Sequence, residues 1–137
     1  MSRWFAVALL SVAVYSQSRV EPQFVYSAKV DSIVDGDTMD LVIDLGFRTT
    51  TEQRVRLLGV DCPEVKGSTK KAGDAATEAT RRWVKSHSGL VIRTLKTKKQ
   101  ADSFGRYLVE VFGDTDGKQE SLNQHLLDEG FAVPYRE

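Results

Sequence analysis

The stretch Arg54-Val55-Arg56-Leu57-Leu58-Gly59-Val60-Asp61-Cys62-Pro63-Glu64 constrains this chain more than any other. Val55, Leu57 and Val60 are the apolar fill of a strand. Pro63 ends it, because proline has no N–H for a further rung and restricts the residue before it. A strand that only fills a core has no use for a guanidinium between Val55 and Leu57, so Arg56 needs counterparts from elsewhere in the fold. Strict alternation turns Arg56 and Asp61 to opposite faces. For both to reach one site the strand must bend or bulge between them, and Gly59 is the expected place.

Strand patterns surround this stretch. Val25–Val34 is a β-rich run that closes at Asp35-Gly36, a tight-hairpin dipeptide. Met39, Leu41, Ile43 and Leu45 then alternate with Asp40, Val42 and Asp44 as a half-buried strand. Gly46–Glu52 reads as a turn and Lys66–Asp74 as an exposed loop. Ala72, Ala75, Ala76, Ala79 and Trp83 recur at helical spacing against Glu78, Arg81, Arg82 and Lys85. That predicts an amphipathic helix with Trp83 in its core face, ending near His87 with Gly89 as the stop. Leu90–Leu95 and Arg106–Phe112 read as two further strands joined by the charged connection Lys96–Ser103, and Gly113–Lys118 as a turn. Ser121 and Gln124 form a capping box for a short helix whose apolar face is Leu122, Leu126 and Leu127, with Gly130 at its end and a tail, Phe131–Glu137. His87 and His125 read as surface residues. The order β-β-β-α-β-β-α predicts a mainly β, α+β fold: a five-stranded OB-type β-barrel with two packed helices.

At 137 residues the chain is one domain's worth, and its 41% apolar and 28% charged residues are those of a soluble globular protein. The single cysteine, Cys62, excludes an internal disulfide and any multi-cysteine zinc site, and 2 histidines are too few for a histidine metal cluster. The net charge of zero conceals a basic centre, since residues 66–99 hold 10 Lys/Arg against 2 Asp/Glu. Such a block could form a phosphate-facing surface, but charge alone favours a solvated helix face with a flexible loop. Residues 1–18 read as a signal peptide or a disordered leader ahead of a domain at 24–137: Arg3, an apolar run from Trp4 to Val14, then Ser16 and Ser18. A buried N-terminal strand or an interfacial segment is the alternative, and the run is too short to span a bilayer. Cleavage predicts a secreted or periplasmic protein, retention a cytoplasmic one.

Two acidic turns carry the chemistry. Asp35-Gly36-Asp37-Thr38 opens the second strand and Asp61-Cys62-Pro63-Glu64 closes the third, so antiparallel pairing lets Asp37 and Asp61 converge. Aspartates in turns commonly bond only their own backbone. Converging carboxylates repel, however, and a hard divalent cation with oxygen ligands is the usual answer. Arg56 and Arg106, the latter after Gly105, supply the residue type that grips a phosphate at two points. With Glu64 left over, these groups are a kit for hydrolysing a phosphodiester.

Val34-Asp35-Gly36-Asp37-Thr38, Arg56-Leu57-Leu58-Gly59-Val60-Asp61-Cys62-Pro63-Glu64, Phe104-Gly105-Arg106 and the run Leu122–Ala132 resemble, in order and spacing, the staphylococcal nuclease (thermonuclease) family. The resemblance covers about Val25 to Tyr135 and implies the same OB-type barrel. It implies Ca2+ bound by the carboxylates of Asp37 and Asp61 and the backbone carbonyl of Cys62. Arg56 and Arg106 would hold the scissile phosphate and its transition state, and Glu64 would orient or deprotonate the attacking water. It implies a Ca2+-dependent nuclease acting on DNA, with RNA left open, and leaving 3′-phosphates. A monomer with no stable protein partner and no membrane span in the mature chain is expected. The runner-up is a catalytically silent module of the same family that binds nucleic acid or a protein.

The departures are specific. Cys62 stands where the family often has Thr, which is harmless if the carbonyl is the ligand, and the sulfur has no assigned role. Ser103 and Phe104 replace a Lys-Tyr pair, which predicts weaker nucleotide binding or an altered preference. Lys70 and Lys71, expected in the loop before the helix, are the candidates to compensate, with Phe104 and Tyr135 as further substrate-binding candidates.

Overall fold

The alternating runs of the first half become an antiparallel meander of β1 (Val25–Asp35), β2 (Thr38–Asp44) and β3 (Thr50–Leu57). Met39, Leu41 and Ile43 of β2 point into the core together with Val55 and Leu57 of β3. The computed structural model describes residues 19–95 and 102–136. The leader at 1–18, and residues 96–101 of the charged connection, lie outside the described residues. Among the described residues no helix is long and apolar enough to cross a membrane.

The chain continues through a short β4 (Val60–Asp61), a single 3-10 turn at Gly67–Thr69, α1 (Lys70–Ser86), β5 (Ser88–Thr94), β6 (Tyr107–Thr115), β7 (Lys118–Ser121), α2 (Leu122–Asp128) and a short β8 (Val133–Pro134). The sheet runs β3-β2-β1-β5-β6-β7 and closes on itself where β3 pairs in parallel with β6, Val55 opposite Tyr107 and Leu57 opposite Val109. Five strands therefore make the barrel, with both helices packed on it, as the strand pattern predicts. Closure also removes the sheet edges that β3 and β6 would otherwise expose.

Several local expectations are corrected. The Gly46–Glu52 turn is shorter than predicted, because Gly46, Phe47 and Arg48 all adopt left-handed backbone (φ 77, 53 and 58). That tight reversal lets Thr50 and Thr51 already pair with Asp44 and Ile43. The Lys66–Asp74 loop is helical from Lys70. Its start carries no capping signature, since the Thr69 hydroxyl donates to the Glu64 carbonyl (2.8 Å) rather than accepting from the helix. The inward face of α1 is also rotated: Gly73, Ala76, Thr77, Ala79, Thr80 and Trp83 are buried, whereas Ala72 and Ala75 are exposed. The threonines tolerate burial because Thr77 donates to the Gly73 carbonyl (2.9 Å) and Thr80 to the Gly36 carbonyl (2.7 Å). The capping box is half formed. Ser121 Oγ accepts from the Gln124 N–H (3.2 Å), but the Gln124 side chain turns forward to Asp128 (2.7 Å). Gly89 lies inside β5 rather than ending α1. His87 is no surface residue: its side chain is 5% exposed, stacked on Trp83 at 3.8 Å and held by Glu120.

Gly73 is where α1 meets the turn that carries Glu64. A Cβ there would lie 2.5 Å from the Glu64 carbonyl oxygen and 2.8 Å from that of Pro63. Both are backbone atoms, so relief requires moving either the helix or the turn. Gly73→Ala is expected to cost about 1–3 kcal/mol and to lower Tm by several degrees, measured by thermal melting. An unchanged Tm would show that helix and turn are not in register as described.

Candidate active site

The strand carrying Arg56 does break at Gly59. β3 stops at Leu57, Gly59 takes φ +77, and pairing resumes at β4. A left-handed residue here reverses the local direction at little steric cost only because it is glycine. The turn is held from below by buried Asn123 of α2, whose Nδ2 donates to the carbonyls of Leu58 (2.9 Å) and Val109 (3.2 Å). As a result Arg56 Nη2 reaches back to donate to the Val60 carbonyl (3.0 Å) and to Asp61 Oδ1 (3.3 Å), and stands 4.0 Å from Asp37 Oδ2. The guanidinium is thus buried among oxygens, the condition on which a charge tolerates burial.

Asp37 joins the two acidic turns. Its Oδ2 accepts the Cys62 N–H (2.9 Å), its Oδ1 accepts the Thr38 hydroxyl (3.1 Å), and its backbone carbonyl accepts the Leu57 N–H (2.8 Å). Gly36 makes the approach possible, since a Cβ there would lie 2.9 Å from both Cys62 Sγ and Ala76 Cβ. The β4–β8 pairing and the Tyr135 N–H bond to the Gly59 carbonyl (3.0 Å) bring the Tyr135 ring to 4.8 Å from the Arg56 guanidinium. Arg106, just ahead of β6, donates from Nε to Asp102 (2.6 Å) and from Nη1 to Thr38 (3.3 Å), with its guanidinium 5.3 Å from the Phe104 ring.

Asp37, Arg56, Asp61, Cys62, Glu64 and Arg106 all line one cleft of about 530 Å3, and so do Phe104 and Tyr135. Lys70 and Lys71 do not: they occupy the first turn of α1, and Lys70 pairs with Asp74 at 2.6 Å. Lys66 lines the cleft instead, 3.8 Å from Glu64, with both side chains well exposed. Its signal in the sequence was its position two residues past Glu64, beyond a proline that turns the chain. Asp35 and Asp102 are the other acidic omissions: both line the cleft, and Asp35 Oδ1 accepts the Asp37 N–H (3.1 Å).

The donor set fits a hard cation. Burial first, then the hydrogen bond and charge of neighbouring Asp37, push the Asp35 carboxyl up from 3.8 to about 6. Burial, reinforced by Asp37, Asp35 and Asp61, pushes the Cys62 thiol up to about 12, so no thiolate competes and the available donors are oxygens. Among the described residues no three His, Cys, Asp or Glu side chains form a ready-made cage. A cation held by the Asp37 and Asp61 carboxylates and the Cys62 carbonyl would need further oxygen donors from outside these groups.

Because the folded Asp35 favours its protonated form, the stability this gives is complete below about pH 4 and is lost as pH rises through about 6. Asp35→Asn stays neutral throughout. In cation-free buffer it is expected to show a higher urea midpoint than the parent at pH 8 and the same midpoint at pH 4. A lower midpoint at pH 8 would mean that the ionised carboxylate makes a favourable contact.

The family described as Staphylococcal nuclease homologue matches residues 54–137, well over half of the chain. The matched span starts past Asp35 and Asp37, whose place at the cleft rests on the barrel geometry. The chain is similar to a thermonuclease of Staphylococcus intermedius, 35% identical over 107 residues that cover 75% of this chain and 56% of that protein. It is also similar to an uncharacterized protein of Methanocaldococcus jannaschii, 26% identical over 129 residues, covering 80% and 59% respectively. The chain spans somewhat more than half the length of these relatives. With a closed OB-type barrel, an Arg- and carboxylate-lined cleft at the predicted turns and this match, the chain belongs to the staphylococcal nuclease family.

Proposed function

We propose that the cleft hydrolyses phosphodiester bonds of DNA, with RNA as a second substrate to be tested, in a Ca2+-dependent reaction that leaves 3′-phosphates. The observation that carries this reading is the convergence of Arg56, Arg106, Asp35, Asp37, Asp61 and a solvent-facing Glu64 on one cleft. The name of the thermonuclease relative supports it. Asp37, Asp61 and the Cys62 carbonyl would hold the cation, which when bound neutralises charge on the phosphate and polarises it.

The remaining roles belong to the chain itself. Arg56 and Arg106 hold non-bridging phosphate oxygens and take up the charge that develops as phosphorus becomes five-coordinate. Glu64 accepts a proton from water. The water oxygen forms the new bond to phosphorus, the bond to the 5′ oxygen breaks, and solvent supplies the proton that this oxygen takes. The products are a 3′-phosphate and a 5′-hydroxyl. Tyr135 and Phe104, each beside an arginine, offer faces for the sugar or base.

Purified protein is expected to degrade single-stranded DNA with Ca2+ and to stop on chelation. Glu64→Gln is expected to lower kcat by about 10²–10⁴-fold while oligonucleotide affinity, measured by fluorescence anisotropy, stays close to that of the parent. Binding without cleavage at any Ca2+ concentration would favour the silent-module reading. Loss of binding in a folded Glu64→Gln protein would remove Glu64 from the role of base.

A further inference from the structure

Asp102 has no part in the chemistry above, yet it makes more directed bonds to Arg106 than any other group. Its Oδ1 accepts the backbone N–H groups of Phe104 (2.9 Å) and Arg106 (3.0 Å), and its Oδ2 accepts Arg106 Nε at 2.6 Å. Its own N–H donates to the Arg106 carbonyl (2.8 Å), so the loop closes on itself around one carboxylate. The Asp102 side chain is 6% exposed against 27% for Arg106. Both residues line the cleft, and the carboxylate is the less exposed of the two.

We infer that Asp102 is a positioning residue that holds Arg106 by its Nε edge and leaves the Nη1/Nη2 end of the guanidinium as the edge that meets phosphate. Three features of the site support this. Arginine offers two bidentate edges, and a carboxylate 2.6 Å from Nε occupies one of them. Nη1 donates to Thr38 Oγ1 at 3.3 Å, the hydroxyl that itself donates to Asp37, so this end points at the acidic turn. The Phe104 ring flanks the guanidinium at 5.3 Å, which leaves the in-plane end for an anion. Burial pushes the Asp102 carboxyl up, but the bonds from the two backbone N–H groups and from the Arg106 side chain outweigh it and hold the group below its ordinary value. The anchor is therefore ionised across neutral and mildly acidic pH.

The inference rests on the nuclease reading only for its kinetic consequence. Asp102→Asn separates two roles, because the amide oxygen can still accept the Phe104 and Arg106 N–H groups while the second carboxylate oxygen is lost. Misaimed arginine is expected to lower kcat by about 10²-fold with KM and Tm close to those of the parent. Arg106→Lys lacks the anchored Nε, so the double variant Asp102→Asn/Arg106→Lys is expected to be no slower than Arg106→Lys alone. Effects that multiply would overturn the inference, since Asp102 would then act other than through Arg106. A direct readout needs no activity. In 15N-labelled protein the Arg106 Nε–H resonance is expected downfield and slow to exchange, and to lose both properties in Asp102→Asn while that of Arg54, bonded to Asp40, keeps them. An Arg106 Nε–H exchanging at the solvent rate in the parent protein would overturn the inference outright. An anchored Nε–H in a protein that cuts no nucleic acid would instead sink the nuclease reading and leave the anchor standing.

Discussion

The reversal at Gly59 is the constraint on which the site depends. Arg56 and Asp61 are five positions apart in the sequence, and in an unbroken strand they would face opposite sides of the barrel wall. One left-handed residue (φ +77) folds the chain so that both meet at the cleft. The same reversal turns the Val60 carbonyl onto the guanidinium. Without it the buried guanidinium would lose its bonds to the Val60 carbonyl and Asp61. The bend is therefore required both for the chemistry and for the folding of a strand that carries a charge inward.

Closure of the barrel supplies the second arginine. Parallel pairing of β3 with β6 sets Arg56 opposite Leu108, so Arg106 stands only two residues ahead of that partner, at the mouth of the same cleft. The β2–β3 register sets Thr38 opposite Arg56, which brings Asp37 to the same level. Three elements distant in sequence thus deliver one residue each through backbone registers that the core enforces, since slipping any of them by one residue would turn Leu41, Val55 or Leu57 outward. α2 adds the clamp: Asn123 bonds both Leu58 and Val109, tying the reversal to the closing strand.

What could be read from the sequence follows the strength of each local signal. Period-two alternation in Met39–Leu45 and the glycine between Arg56 and Asp61 are unambiguous, and from them the meander, the bend and the convergence of Asp37 with Asp61 follow. The start of α1 was not legible because Thr69 bonds backward to Glu64 rather than forward, so no cap marks it. Its buried face was misjudged because threonine is apolar enough to bury once its hydroxyl is satisfied by Gly36 or by its own helix, a contact that is invisible until the tertiary fold exists. Lys66, rather than Lys70 or Lys71, lines the cleft for the same reason: helix begins at Lys70 and carries both later lysines away. The burial of His87 depends on stacking with Trp83 and a partner on β7, 33 residues away. Asp35 read as a turn former, and its bond to the Asp37 N–H agrees; its crowding by Asp37 arises only once Cys62 and α1 close over the turn.

The site divides its charged groups by freedom of movement. Arg56 is held by Val60 and Asp61 and Arg106 by Asp102, so in the proposed reaction neither would have to reorganise on meeting a phosphate. Preorganised donors of this kind stabilise developing charge at least cost, because their orientation is fixed during folding. Glu64 differs: its carboxylate is well exposed, and Lys66, its ion-pair partner among the described residues, is more exposed still. In the proposed reaction a group that must take up a proton and release it to solvent benefits from that access. The same exposure would ruin a group whose task is electrostatic, since water would screen it. Keeping Arg56 buried and Arg106 partly shielded while leaving the glutamate wet is the partition that the proposed phosphodiester hydrolysis would demand of this cleft.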